Sequence, residues 1–397
     1  MRPPLALALL LALALRLALV ASTDRPAADV VRYERVARHL LDVSWNPYET
    51  QRLYPYPPPW AAVEAGALWL ARRGVGSFPV NVKLPVVAAD LLLVALLAAA
   101  ARAGRASPLA PWLYAAHPVS LLVGGAHGQF DAIPLLFLLL AVELEARGRR
   151  DASALALAAG IAVKSFPVLA LPFLAAPGRT GLRAAARYAV LALAPGALLL
   201  LPFAAASPGA LARELLAYGG IADFGWTGVA RGVEWLATGV LPRSEARYWP
   251  VAAAASRALF LAAWGALAWA GISGRLRLYP GKGILAALLA FASVYGLQSA
   301  QYLLWAVPFG LLRPARPAAA HAAAAAAGLV GFYLFLAPGV LAPGPLGAGA
   351  AERAGRLWVA GSCAVLASSV AWLASVLAAG LRAATDATAR PSTSPSR

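Results

Sequence analysis

The sequence predicts an all-α polytopic membrane protein of about twelve transmembrane helices, at roughly 20 residues per span plus loops over the chain. Two observations carry this. Of 397 residues, 61% are hydrophobic and only 13% charged, against roughly 45–50% and about 25% in soluble domains. The cationic residues also gather in alternate loops, as cytoplasmic loops of membrane proteins do. A soluble globular domain and a largely disordered chain are both excluded. The net charge of +17 is nearly all arginine, with lysine only at Lys83, Lys164 and Lys282. With a single Met and abundant Ala, Gly and Pro, it reads as codon bias and not as a nucleic-acid surface. The lone Cys363 permits no internal disulfide.

The first apolar run, 4–21, contains Arg16 and is read as a retained helix in preference to a cleaved signal peptide. A Pro- and aromatic-rich stretch, 23–82, follows. Within it, 61–73 is too short to span comfortably and is placed along the membrane surface. Further spans fall at 84–101, 109–124, 132–146, 152–166, 167–177, 188–205, 251–272, 284–298, 302–312, 318–337 and 357–380. The pair around Pro167 reads as a broken or tilted hairpin. With the N-terminus in the cytoplasm, inside loops collect Arg102 and Arg105; Arg147, Arg149 and Arg150; Arg179, Arg183 and Arg187; Arg275, Arg277 and Lys282; and Arg313 and Arg316. The short outside loops near 125–131 and 298–301 hold no Lys or Arg. Counting 61–73 as a span would reverse this pattern. The expected organisation is a transmembrane domain at 1–337, with long extracytoplasmic loops at 23–82 and 207–250. An outer loop and last span follow at 338–380, and a disordered cytoplasmic tail at 381–397. The location expected is the plasma membrane of a prokaryote.

Five polar elements fall on the outer side. Asp29 opens an amphipathic pattern continuing through Tyr33, Val36, Ala37, Leu40 and Leu41. Its carboxylate is either a helix cap or a general base or metal ligand at the interface. The run Tyr54-Pro55-Tyr56-Pro57-Pro58-Pro59-Trp60 forms a stiff aromatic segment. His127-Gly128-Gln129-Phe130-Asp131 lies between two spans. There Asp131 either caps the next helix or serves a site, and His127 lacks a partner at metal-ligand spacing. Lys164 either snorkels to the interface or holds a lipid phosphate. Gln301-Tyr302 sits at another outer junction. Arg16 and Asp90 lie inside predicted spans, where ionisable groups pair within the bundle, and Asp90 is read as structural. No nucleophile elbow, P-loop or HExxH motif is present.

The order Asp29, Tyr33, Ala37-Arg38, Asn46-Pro47-Tyr48, Tyr54-Pro55-Tyr56 resembles the first luminal loop of the mannosyltransferase that adds the first mannose to GPI anchors. The continuation through His127-Gly128-Gln129-Phe130-Asp131, Lys164, Pro167 and Gln301-Tyr302-Leu303-Leu304-Trp305 resembles the wider GT-C superfamily of membrane glycosyltransferases. The motifs span roughly residues 20–310. The resemblance implies a hexosyltransferase, with mannose the expected sugar. It would draw on a polyprenyl- or dolichyl-phosphate donor on the extracytoplasmic side and serve a lipid-linked glycan, glycolipid or protein acceptor. It implies Asp29 as the catalytic acid. Charge and position suggest Lys164 for the donor phosphate, with Arg213 or Arg231 of the second long loop as further cations, and Gln301 and Tyr302 match the family's motif beside them. Tyr54, Tyr56, His127, Gln129 and Asp131 would face acceptor or interface. A divalent cation, Mg or Mn, is a candidate cofactor, with Asp29 its only named ligand. Some members carry a paired acid, Asp-x-Asp. Here that partner position is Ala27, with Asp24 further upstream, which favours a single-base mechanism. The rival reading from another class is a multi-span transporter or lipid flippase. The repeated halves often found there are not evident.

Overall fold

The computed structural model describes residues 5–22, 26–50, 54–216, 218–278, 280–342, 344 and 346–389. These form helices α1 (Leu5–Ser22), α2 (Ala28–Asp42), α3 (Pro58–Arg72), α4 (Phe78–Arg102), α5 (Ala110–Ala115), α6 (Ala132–Glu145), α7 (Arg150–Val163), α8 (Leu171–Ala175), α9 (Leu182–Ala206), α10 (Pro208–Leu216), α11 (Gly225–Thr238), α12 (Pro250–Ile272), α13 (Pro280–Val294), α14 (Val307–Leu312), α15 (Arg316–Phe335) and α16 (Ala348–Ala389). Among the described residues, β-pairing is confined to two isolated bridges, Ile221 with Glu245 and Phe224 with Gln298.

Among the described residues, six helices are long and apolar enough to cross a membrane: α1, α4, α9, α12, α15 and the stretch Ala348–Asp386 of α16. On α9 and α12, Leu182, Val190, Leu198, Leu201, Val251, Leu259, Leu261 and Trp269 are exposed. Such apolar faces suit lipid and not water. The protein is an integral membrane protein.

Several elements depart from the expected spans. The run 109–124 is not one helix. α5 stops before His117, and a short turn at Pro118–Ser120 leads into a π-helical turn, Leu121–His127. Pro118 lacks the N–H that would continue the ladder. The run 302–312 is likewise divided, into a 3-10 turn at Ala300–Leu304 and α14, with Pro308 at the second helix's start. The hairpin expected around Pro167 does break there, into α7, a 3-10 turn at Phe166–Ala170 and α8. The tail expected to be disordered continues α16 as far as Ala389. Its alanines (Ala383, Ala384, Ala387, Ala389) are the strongest helix formers and outweigh the polar residues between them. Asp24, Arg390 and the rest of 390–397 lie outside the described residues.

A buried polar knot ties α1, α4 and α5 beneath the π-helical turn. Arg16 Nε donates to Asp90 Oδ2 at 2.8 Å, and its Nη atoms reach Ser120 Oγ at 2.6 Å and the Ala115 carbonyl at 2.9 Å. Tyr114 donates its hydroxyl to Asp90 Oδ1 at 2.6 Å. Both charges are wholly buried and fully partnered, which is the only affordable form for such groups in an apolar interior. Asp90→Ala strands Arg16, and the expected loss is about 3–5 kcal/mol. Thermal unfolding in detergent checks it: a melting temperature equal to wild type would show that the knot holds nothing together.

Candidate active site

The site is assembled at one end of the bundle from helix ends brought together by alternating chain direction. α2 follows α1 and presents Asp29 in its first turn. Its buried face is Val30, Tyr33, Val36 and Ala37, close to the spacing that predicted an amphipathic helix. The cap position is Ala27 and no side-chain cap bond forms. Asp29 is therefore not spent on capping, although the helix N-terminus still favours its negative charge.

Instead, Asp29 Oδ2 accepts a hydrogen bond from Gln129 Nε2 at 2.5 Å and lies 3.0 Å from His127 Nε2. His127 Nδ1 is 3.0 Å from the Tyr333 hydroxyl, and Tyr33 donates to Gln129 Oε1 at 3.0 Å. The other carboxylate oxygen, Oδ1, lies 3.7 Å from Arg32 Nη1 and takes no hydrogen bond among the described residues. Burial alone would raise the Asp29 carboxyl. The His127 hydrogen bond and the charges of His127, Arg32 and Lys164 outweigh it and hold the group below the usual carboxylate value.

The turn that delivers His127 and Gln129 depends on Gly128. Its φ is +87°, and a Cβ there would meet Lys83 Cε at 2.9 Å and Val30 Cγ2 at 3.1 Å. Lys83, which the sequence reading left unassigned, donates from Nζ to the Ala126 carbonyl at 2.7 Å and so braces this turn from α4.

A second cluster adjoins. Asp131 is wholly buried; its Oδ2 accepts from Lys164 Nζ at 2.8 Å and its Oδ1 from Trp305 Nε1 at 2.6 Å. Asp131 makes no side-chain cap bond to α6, and Lys164 is buried and ion-paired where a snorkelling side chain would be exposed. The Lys164 ammonium also sits 4.8 Å from the Phe130 ring centre and 5.3 Å from that of Tyr56. Phe166 stacks on Trp305 at 4.0 Å and Trp60 on Phe130 at 4.1 Å, giving the cluster rigid aromatic walls. Tyr302 packs 4.4 Å from Trp305. Gln301 is buried beside it and makes no side-chain hydrogen bond among the described residues.

Not every expected site residue belongs here. Tyr54 is fully buried, with its hydroxyl donating to the Pro57 carbonyl at 2.6 Å and accepting from Ala61 N at 2.7 Å. It satisfies an orphan amide of the first turn of α3 and cannot touch a substrate. Arg213 is exposed on α10 and makes none of these contacts. Arg231 is buried on α11 and committed to its own loop, donating to the Pro242 carbonyl at 2.7 Å and to Asp223 Oδ1 at 3.3 Å. Arg231 is thus engaged by Asp223 and Pro242, whereas Arg213 stands apart from the cluster on the exposed face of α10.

The second long loop nevertheless reaches the site. Phe224 N donates to the Gln298 carbonyl at 2.8 Å, Thr227 Oγ1 to the Gly296 carbonyl at 2.6 Å, and Trp358 Nε1 to the Asp223 carbonyl at 2.8 Å. Gly225 permits this approach: its φ is +70° and a Cβ would lie 2.4 Å from the Gly296 carbonyl oxygen. Sequence reasoning missed Asp223 and Tyr333, which have no motif around them. It also passed over Glu64 of α3, whose carboxyl is wholly buried, without a hydrogen-bond partner among the described residues, and pushed well up by burial.

A divalent ion does not fit this donor set. Among the described residues, no three His, Cys, Asp or Glu side chains converge as ligands. Asp131 already has both oxygens engaged, and Asp29 has one oxygen bound to Gln129 and His127. No step below is routed through a metal.

A half-buried carboxylate with one oxygen free of hydrogen bonds among the described residues, beside a caged lysine and an aromatic wall, is an arrangement for polar chemistry at a membrane boundary, and the chain is a membrane glycosyltransferase. Residues 33–177, which carry every element of the site from Tyr33 to Lys164, match the family model described as Alpha-(1->6)-mannopyranosyltransferase, N-terminal domain. Asp29 lies four residues before the matched segment. The resemblance read from the sequence is borne out there, and the transporter reading loses its ground. The crystal structure of ArnT from Cupriavidus metallidurans bound to undecaprenyl phosphate is similar at 16% identity, over 95% of this chain and 77% of that one, with a TM-score of 0.49. No curated protein matches the chain.

Proposed function

We propose that the protein moves a mannosyl unit from a polyprenyl-phosphate donor to a hydroxyl of a glycan or glycolipid acceptor on the extracytoplasmic side, with inversion at the anomeric carbon. The observation that carries this is the division of labour at Asp29. Oδ2 is fixed by Gln129 and His127, and Oδ1 takes no hydrogen bond among the described residues. A base must be held still and still have an oxygen to offer. In the reaction the acceptor oxygen attacks the anomeric carbon and its proton passes to Asp29 Oδ1. The bond from that carbon to the lipid phosphate breaks, and the phosphate leaves with the electron pair. A phosphate is already a good leaving group and needs positive charge more than a proton. Lys164 supplies it, oriented by Asp131 and shielded by Tyr56 and Phe130. A β-linked donor attacked once gives an α-linked product, in keeping with the linkage in the family model's description.

The span count of twelve and the N-in orientation belong to this reading. In its support, Asp29, His127 and Asp131 meet Lys164 at one end of the bundle. The test is purified protein in lipid discs, given a panel of polyprenyl-phosphate sugars and membrane glycolipid extracts, with products read by mass spectrometry. A hexose added to an acceptor only from a lipid-phosphate donor supports the proposal. Transfer from nucleotide sugars alone would overturn it.

A further inference from the structure

The second long loop contributes a carboxylate for which the mechanism above has no use. Asp223 sits on the segment that bridges to Gln298 and packs under the Trp358 indole. Its neighbour Phe224 lies 5.7 Å from Phe332. Phe332 precedes Tyr333, whose hydroxyl reaches His127 and, through it, Asp29. Asp223 therefore adjoins the Asp29–His127–Tyr333 chain, close enough to feel the charges of Asp29 and His127. Its Oδ1 is anchored by Arg231 at 3.3 Å. Its Oδ2 takes no hydrogen bond among the described residues, and the side chain is 14% exposed.

An anchored carboxylate with a free, partly open oxygen accepts hydrogen bonds and repels anions. A lipid phosphate belongs beside Lys164 and away from Asp223. A neutral polyol suits Asp223 instead, because each sugar hydroxyl can donate to the free oxygen. Resting on the glycosyltransferase reading above, we infer that Asp223 is the acceptor-sugar subsite, binding through Oδ2 a hydroxyl of a neutral glycan and so turning the attacking hydroxyl toward Asp29 Oδ1. Arg231 is its positioning residue.

The electrostatics agree with this placement. Burial raises the Asp223 carboxyl, the nearby Arg231 and His127 charges lower it, and Asp29 raises it, leaving it at about 6. The other groups around it, the Tyr333 hydroxyl and the Trp358 indole, are uncharged in this range. The carboxylate form is thus lost as pH falls through about 6, and acceptor affinity falls with it.

The probe is a radiolabelled alkyl mannoside of one or two residues, bound to full-length protein in lipid discs. At pH 7.5, Asp223→Asn is expected to weaken binding at least tenfold. Asp223→Glu, which keeps the charge, is expected to recover part of the binding. Wild-type affinity is expected to fall below pH 6, and the Asn variant to show no such slope. Equal binding by wild type and a folded Asp223→Asn variant overturns the subsite, as does a Glu variant no better than Asn. Failure of wild type to turn over any lipid-phosphate sugar counts instead against the glycosyltransferase reading, and the binding comparison still decides the subsite.

Discussion

Asp29→Asn is expected to lower sugar transfer by about 10²–10⁴-fold, the contribution of a positioned general base, with little change in thermal stability. The amide keeps the side chain's shape, and its carbonyl can still accept from Gln129 or His127. What disappears is the ability to take a proton at Oδ1. The matching pH profile follows from the charges around the group. His127, Arg32 and Lys164 hold the Asp29 carboxyl below its usual value, so the base stays ionised as the medium turns mildly acidic. Protonation of Asp29 should therefore limit kcat only below the ordinary range near pH 4. Loss of activity around pH 6 should appear in the acceptor KM and not in kcat, because it belongs to Asp223. Rates measured on the purified protein at saturating donor check both points. Activity of the Asn variant within a few-fold of wild type removes Asp29 from the mechanism.

Lys164→Met should act on stability and donor binding together. The lysine and Asp131 are both buried, 2.8 Å apart. Removing the cation leaves a carboxylate whose one remaining side-chain partner among the described residues is the Trp305 indole. Breaking such a buried pair costs about 3–5 kcal/mol. The double variant Lys164→Met with Asp131→Asn should regain most of that stability, because no uncompensated charge is left behind. Donor affinity should stay low in both, since neither offers positive charge to the phosphate. Melting curves and donor titrations on the three proteins separate these effects. A double variant that binds donor like wild type would confine Lys164 to holding the fold. Lys164→Met melting with wild-type protein would show that the ion pair is not a structural element.

The periodicity of α2 was readable from Tyr33, Val36 and Ala37, because a helix turned against a bundle must bury one stripe every 3.6 residues. The membrane class was readable from composition, and the involvement of His127, Gln129, Asp131 and Lys164 from their position at predicted helix ends. Their bonding was not. Nearby sequence left Asp131 either a helix cap or a site residue, whereas its partners are Lys164 and Trp305, the latter 174 residues along the chain. Tyr54 looked like an exposed aromatic among prolines and is the buried brace of α3. Arg231 looked like a free cation and is spent on Asp223 and Pro242.

The sequence by itself determined that this is a helical membrane protein and placed most of its polar groups at the correct helix ends, since hydrophobic periodicity and charge position are local properties of the chain. Only the tertiary structure decided which carboxylate oxygens stay without a hydrogen bond among the described residues, which lysine is caged, and that Tyr333 reaches His127. Those outcomes depend on distances of about 3 Å between residues far apart in sequence, and such distances are fixed by packing, which no local pattern encodes.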